Sequence, residues 1–358
     1  MRIYVHLPFC RSKCWYCSFN SQSGKDGLFE SYAQALLRQV DFFKKAYPFN
    51  SIESLYIGGG TPSFFPVNYI SKVVNALFKG AKLSSDFEFT IEANPIDVSK
   101  EWLNSVKALG VNRISLGAQS FNDDILRFLG RLHDAKQAIN AVKTSRSVFG
   151  NMVSVDIIYG VPGQDRSQME KDFSIACELE VSHISAYLLS LEDDTALARR
   201  GVKINVEKQA LFYRLADELL SGCGFEWYEI SNYARREDYC RHNLGYWNGD
   251  EFLGIGAGAW SFAEAERFAW AQDIEAYIEK RGFDPDFCYK VDDVQREIAL
   301  LQLRTKFGAN CSIIAKTPHQ EDYLNMLINE GFMEKQKGNC RLTLKGRLFA
   351  DEISGNLL

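Results

Sequence analysis

Cys10-Arg-Ser-Lys-Cys14-Trp-Tyr16-Cys17 sets three thiols in one eight-residue loop, a C-x3-C-x2-C that directly follows the β-type run Ile3–Leu7. Three thiolates on a short loop can hold three corners of a 4Fe–4S cube. The fourth iron then lacks a protein ligand and is open to the amino and carboxylate groups of a small molecule. Arg11 and Lys13 lie in the loop and offset the charge of the thiolates. A zinc site closed by His6 is the bland alternative. Structural zinc, however, usually takes paired Cys-x2-Cys knuckles, and no second pair stands downstream at a suitable spacing. The spacing therefore predicts an iron–sulfur cluster on Cys10, Cys14 and Cys17. The other six of the nine cysteines, Cys177, Cys223, Cys240, Cys288, Cys311 and Cys340, are scattered. They read as small buried hydrophobes rather than as a disulfide framework.

Working outward from the loop, β-type runs alternate with helical periodicity. The strand candidates are Ile3–Leu7, Ser54–Ile57, Phe87–Glu92, Arg113–Leu116, Val153–Tyr159 and His183–Leu189. The helix candidates are Tyr32–Tyr47, Val67–Phe78, Trp102–Leu109, Ala135–Val148, Ser167–Leu179 and Lys208–Leu220. Successive strand-then-helix units imply an α/β fold with a parallel sheet and right-handed crossovers. Periodicity alone leaves open whether that sheet is curled into a partial barrel or doubly wound. In either case ligands belong at the carboxyl ends of the strands. The unusual residues gather there: the Cys loop, Gly58–Pro62, Glu92-Ala-Asn-Pro, Gln119-Ser-Phe, and Asp156 with Tyr159-Gly-Val-Pro-Gly. Beyond about Ala263, helical patterns at Ala271–Glu279, Asp293–Thr305 and Gln320–Glu330 lead into a two-stranded stretch, Phe332–Leu344, and a last helix. We read residues 1–263 as the main domain and 264–358 as a small winged-helix-like α+β domain.

The 358 residues are 46% hydrophobic and 24% charged, ordinary globular chemistry long enough for one large domain and a smaller one. A formal charge of −5 argues against a nucleic-acid partner, which needs a basic face. No stretch approaches the roughly 20 apolar residues of a membrane span, and the start of the chain is too short and mixed for a signal peptide. The expectation is a cytoplasmic protein, with peripheral membrane contact left open.

The other candidate site residues follow from position. Gly58-Gly59-Gly60-Thr61 lets backbone approach a ligand closely, or simply makes a tight turn. Glu92 ends the third strand, where a carboxylate can accept from ribose hydroxyls. Gln119, Arg131 and Asp156 lie on or after the fourth and fifth strands, and Arg131 with Asp156 can also be read as a structural ion pair.

With its aromatic Tyr16 before the last cysteine, the loop resembles that of the radical-SAM superfamily. The segments Tyr4-Val-His-Leu-Pro-Phe-Cys, Gly-Gly-Gly-Thr-Pro, Ile-Glu-Ala-Asn-Pro, Gln-Ser-Phe, Leu-Gly-Arg-Leu-His and Asp156-Ile-Ile-Tyr-Gly-Val-Pro-Gly are similar, in order, to one branch. That branch comprises the oxygen-independent coproporphyrinogen III oxidases and their relatives. The resemblance implies a partial (β/α)6 barrel and S-adenosylmethionine on the unique iron. It also implies an electron donor and reductive cleavage of the cofactor to methionine and a 5′-deoxyadenosyl radical. Tyr4, Tyr16, Gly59, Gly60, Thr61, Glu92, Gln119, Arg131 and Asp156 are then the expected adenosylmethionine contacts.

Within the branch the chain resembles the heme chaperones, which hand heme to an acceptor hemoprotein, more than the decarboxylating oxidases. Phe19 stands where the oxidase loop continues with another cysteine. The first cysteine is residue 10, without the oxidases' long extension before it, and Tyr239-Cys-Arg-His242-Asn243-Leu-Gly-Tyr246-Trp247 contains H-N-x-x-Y-W. Physically, His242 offers an imidazole to iron, while Tyr246 and Trp247 offer faces to a porphyrin. Cys240 is a second axial option. On residues alone, an aromatic plug with a hydrogen-bonded histidine explains the segment equally well. Trp260 replaces a histidine common in relatives, and whether His183 faces the barrel mouth or its wall is open. The remaining alternatives are oxidase activity and radical chemistry on another small substrate.

Overall fold

The computed structural model describes residues 1–48, 51–280 and 284–357. Six parallel strands run β1 Arg2–Leu7, β2 Ser51–Gly59, β3 Lys82–Ala93, β4 Arg113–Gln119, β5 Val153–Tyr159 and β6 His183–Leu188. Parallel strands covered on both faces usually read as continuous apolar runs. Here they alternate. Ile3, Val5, Leu7, Leu55, Ile57, Phe89, Ile91, Ile114, Leu116, Val155, Ile157 and Ile184 point outward into the main core. Arg2, Tyr4, His6, Ser54, Tyr56, Glu88, Glu92, Arg113, Ser115, Ser154, Asp156, His183 and Ser185 occupy the alternate, inner positions. Such a pattern suits a curled sheet, whose interior is lined by one set of alternating side chains.

The expected helices are present, over Phe29–Ala46, Val67–Phe78, Lys100–Ala108, Ala135–Phe149, Arg166–Glu178 and Val206–Gly222. Two start at reciprocal caps, Asp134 with Gln137 and Asp165 with Gln168, where side chains satisfy backbone N–H groups that the first turn leaves free.

The sheet does not close. It continues past β6 through two antiparallel strands, β7 Glu226–Glu229 and β8 Asn232–Ala234. On the other side β9 Phe252–Ile255 pairs parallel to β1, followed by antiparallel β10 Trp260–Ala263, β11 Glu266–Ala269 and β12 Phe287–Lys290. The order is β12-β11-β10-β9-β1-β2-β3-β4-β5-β6-β8-β7. The boundary expected at residue 263 falls between β10 and β11, inside this sheet. A second core begins at Ala299, with Leu300, Leu303, Leu324, Leu327, Leu342 and Ile353. It belongs to a winged-helix arrangement: helix Val294–Gln302, strand Ala309–Asn310, helices Cys311–Ile314 and Pro318–Asn329, and the hairpin Met333–Gln336/Asn339–Leu342.

Four of the scattered cysteines correct the reading of them as isolated hydrophobes: Cys177 is bonded to Cys223, and Cys311 to Cys340. Helix ends bring Cys177 and Cys223 together across 46 residues of sequence, and the pairing of Ala309–Asn310 with Asn339–Leu342 brings Cys311 to Cys340 across 29. Cys240 is buried as expected, whereas Cys288 is exposed.

Gly254 lets β9 and β10 approach, since a Cβ there would lie 2.0 Å from the Trp260 carbonyl oxygen. Gly254→Ala is expected to destabilise the protein by about 1–3 kcal/mol through overpacking. Gly355→Ala, in a helix with nothing near the added carbon, should stabilise it by up to about 1 kcal/mol. Urea denaturation of both variants checks the opposite signs.

Candidate functional site

The Cys loop is pinned at both ends. Phe9–Cys10 pairs with Gln22–Ser23, and Trp15 is wedged into the barrel rim. The Trp15 N–H donates to the Leu129 carbonyl at 3.0 Å, and its own carbonyl accepts from Leu197 N–H at 2.9 Å. The Arg200 guanidinium lies 3.9 Å from the centre of the ring. Gly130 makes room for it, at φ +74° and with a would-be Cβ 2.8 Å from the indole.

The glycine run lies alongside the loop. Gly60 N–H donates to the Leu7 carbonyl (2.9 Å) and Thr61 N–H to the Phe9 carbonyl (2.8 Å). A side chain at Gly60 would strike Phe9 backbone and Cys10 Sγ, and one at Gly59, at φ +116°, would strike the His6 ring. The run therefore allows the end of β2 to pass within contact distance of the first cysteine.

These elements enclose a cavity of about 310 Å³ at the carboxyl ends of the strands. Cys10, Cys14, Tyr16, Cys17, Gly59, Gly60, Thr61, Glu92, Gln119, Arg131 and Asp156 all line it. Tyr4 is the exception among the residues expected there. Its hydroxyl bonds His6 Nδ1 at 2.9 Å, deeper in the barrel interior. His6 spends its other nitrogen on the Asn20 carbonyl at 2.7 Å, so neither ring nitrogen faces the thiols as a zinc ligand would. Among the described residues no three His, Cys, Asp or Glu side chains converge on one ion-sized point; a cube that takes one thiolate per corner does not require it.

The thiols are free. Burial pushes the pKa of Cys10 and Cys17 up. Thr61 Oγ1 donates to Cys10 Sγ at 3.4 Å, and Arg131 Nη1 to Cys14 Sγ at 3.2 Å. Arg131 also donates from Nη2 to the Gly117 carbonyl (2.7 Å), while its Nε is buried without a partner. Arg131 and Asp156 do not form the ion pair considered above. Asp156 instead accepts from Ser115 at 3.1 Å, and burial pushes its carboxyl up to about 6. Burial likewise pushes Glu92 up to about 7, although it accepts from Tyr56 OH at 2.8 Å and Gly59 N–H at 3.3 Å. Gln119 holds a left-handed backbone, φ 68°, unusual for a non-glycine residue. Sequence reasoning missed Tyr56 and Tyr187. Strand alternation was the available signal, since both stand on the inner face, and Tyr187 lines the cavity.

The H-N-x-x-Y-W segment lies elsewhere, on helix Arg241–Asn248 at the amino ends of the strands. His242 is 1% exposed, with Nδ1 on Ser54 Oγ and Nε2 on Tyr246 OH, both at 2.8 Å. Burial pulls its pKa down to about 3. Tyr246 packs edge-on against Phe252, and Trp247 Nε1 donates to Glu229 at 3.1 Å. Asn243 is partly buried on the same helix. In this arrangement the segment is the hydrogen-bonded aromatic plug of the barrel floor. His183 belongs to the wall, between Ser154 (2.7 Å) and Tyr228 (2.8 Å). Trp260 is exposed beside Phe287.

Residues 4–175 match the Radical SAM superfamily. The heme chaperone HemW of Bacillus subtilis is 30% identical over 99% of this chain and 98% of its own length. The chain belongs to the HemW family of the radical-SAM superfamily. HemW of a Buchnera aphidicola strain is 35% identical over 98% of this chain and 96% of its own. Among solved structures, the coproporphyrinogen III oxidase HemN of Escherichia coli, described as a radical-SAM enzyme, superposes with a TM-score of 0.86. The match covers 99% of this chain and 89% of that one at 22% identity, which establishes a shared fold.

The raised Glu92 carboxyl sets a pH signature. Folded protein retains this proton up to about pH 7, whereas the unfolded chain releases it near 4.5. Stability should therefore fall as pH rises between those values. Measured on iron-free protein, Glu92→Gln should remove that part of the slope, worth no more than about 3 kcal/mol. Parallel pH–stability curves for the two proteins would contradict it.

Proposed function

We propose that this chain is a cytoplasmic heme chaperone that carries a 4Fe–4S cluster on Cys10, Cys14 and Cys17. S-adenosylmethionine would occupy the adjoining cavity, and heme would bind through His242, Asn243, Tyr246 and Trp247 for transfer to an acceptor hemoprotein. The observation that carries this reading is the convergence of three free thiols on one cavity in a chain that aligns end to end with HemW. The cavity fits its expected occupants. Gly59 and Gly60 bring backbone to the cavity wall, Arg131 Nε is buried without a partner, and Glu92 and Asp156 offer carboxylates to hydroxyls. Cys10, Cys14 and Cys17 would hold the cluster, which when bound would supply one-electron chemistry to adenosylmethionine, with an external donor restoring the electron. The residues around it act as scaffold: Thr61 and Arg131 donate to the sulfurs, and Trp15 fixes the loop.

Phe19, at the cavity mouth and 69% exposed, stands at the position of the extra loop cysteine expected of an oxidase. Heme binding at the floor requires a local exchange. His242 is held neutral and its Nε2 is occupied, so ligation means giving up the Tyr246 hydrogen bond for iron. Trp247, only partly buried, is the face available to a macrocycle without that exchange.

Two experiments test the reading. Anaerobically reconstituted Cys14→Ser should lose the brown chromophore and most of its iron with unchanged far-UV circular dichroism. Heme titration of the parent protein should shift the Soret band, with His242→Ala and Trp247→Ala each weakening binding at least tenfold. If the parent gives no Soret shift at micromolar heme yet decarboxylates coproporphyrinogen, the oxidase reading replaces this one.

A further inference from the structure

A second cavity, of about 240 Å³, opens at the amino ends of β5 and β6, away from the cysteine loop. Arg146, Asn151, Glu180, Val181, Ser182, Arg235, Arg236 and Asp238 line it, and only some of their polar groups are engaged. Arg146 and Glu180 pair at 3.0 Å, but Arg146 Nε is buried without a partner. Arg235 donates from Nη2 to the carbonyls of Cys177 (3.3 Å) and Cys223 (3.0 Å) and lies over Phe225. Among the described residues, the Arg236 guanidinium, the Asn151 amide and the Ser182 hydroxyl have no partner. Ser182 is only 5% exposed, so its hydroxyl is a buried donor whose opening is this cavity.

The charges do not cancel. Glu180 neutralises Arg146 and Asp238 offsets one more arginine, leaving one positive charge among uncommitted donors. Glu180, Arg236 and Glu237 are non-glycine residues at φ 51°, 53° and 61° in the two turns that bound the cavity.

We propose that this cleft binds a small oxyanion, a phosphate or carboxylate group, through Arg236, Ser182, Asn151 and Arg146 Nε. Guanidinium and hydroxyl donors around an anionic oxygen form charge-assisted hydrogen bonds, the stronger kind. The site is independent of the cluster and of the heme reading, and neither is needed to test it.

Isothermal titration of the full chain with inorganic phosphate and, separately, with succinate distinguishes the two sources of the anion. Saturable binding of one of them is expected, weakened at least tenfold by Arg236→Gln and by Ser182→Ala and unchanged by Arg341→Gln in the C-terminal hairpin. The iron content of reconstituted protein should be the same in all variants. No saturable heat with either anion up to about 10 mM, ten times the 1 mM scale of weak binding, overturns the proposal. So does binding that Arg236→Gln and Ser182→Ala leave intact.

Discussion

Glu88 closes the floor of the barrel. It is a buried carboxylate on the inner face of β3, and it accepts from the backbone N–H groups of Arg241 and His242, both at 3.0 Å. Helix Arg241–Asn248 has no side-chain cap of its own, so the first orphan donors of that helix are satisfied from across the sheet. The positive end of its dipole meets the carboxylate. Arg113, also buried, stands 3.8 Å away and balances the charge. Removing a buried carboxylate of this kind leaves both a guanidinium and a helix end without partners, which costs more than the pair itself contributes. The docking of the plug helix, and with it the enclosed polar interior, depends on this one group.

Given that floor, the interior is one stack of polar and aromatic side chains with different tasks at its two ends. At the carboxyl end, Glu92, Asp156, Arg131 and the thiols face a cavity. At the amino end, Ser54, His242 and Tyr246 satisfy one another, and Trp247 donates to Glu229. Tyr56 touches both: its hydroxyl donates to Glu92, and its ring lies 5.2 Å from that of His242, tilted by 31°. The two ends share a neighbour, although they lie at opposite ends of the strands.

The sequence reading was reliable where one physical rule acts alone over a long stretch. The six strand–helix units were legible because each strand keeps an apolar outer face and each helix an apolar stripe, with caps such as Asp134 and Asp165 at the right offset. Strands such as Asn232–Ala234 and Phe252–Ile255 were not, since three or four residues carry too few alternations to be told from a loop. The cavity was legible as a set of unusual residues at strand ends. Tyr4 sits deeper than the residues lining the cavity, since a motif fixes the order of its residues but not the depth at which each sits in the barrel. The cysteine pairs were invisible for another reason: nothing in a 46-residue separation signals that two helix ends will meet. The left-handed backbone of Gln119 is imposed by tertiary structure and leaves no trace in the residue type.

The electrostatics of the main cavity narrow what it can accept. Two carboxyls and two of the three thiols there have their proton affinity raised, in each case chiefly by burial. Arg131 is the one cation among the described residues lining the cavity. Burial favours the protonated form of these groups, so positive charge entering the site would draw protons out of it. Iron taking up the thiols, and a cationic sulfonium cofactor beside Glu92 and Asp156, would meet the negative potential that burial otherwise suppresses. The cleft at the opposite strand ends differs, since uncommitted guanidinium, amide and hydroxyl donors there leave the balance on the other side.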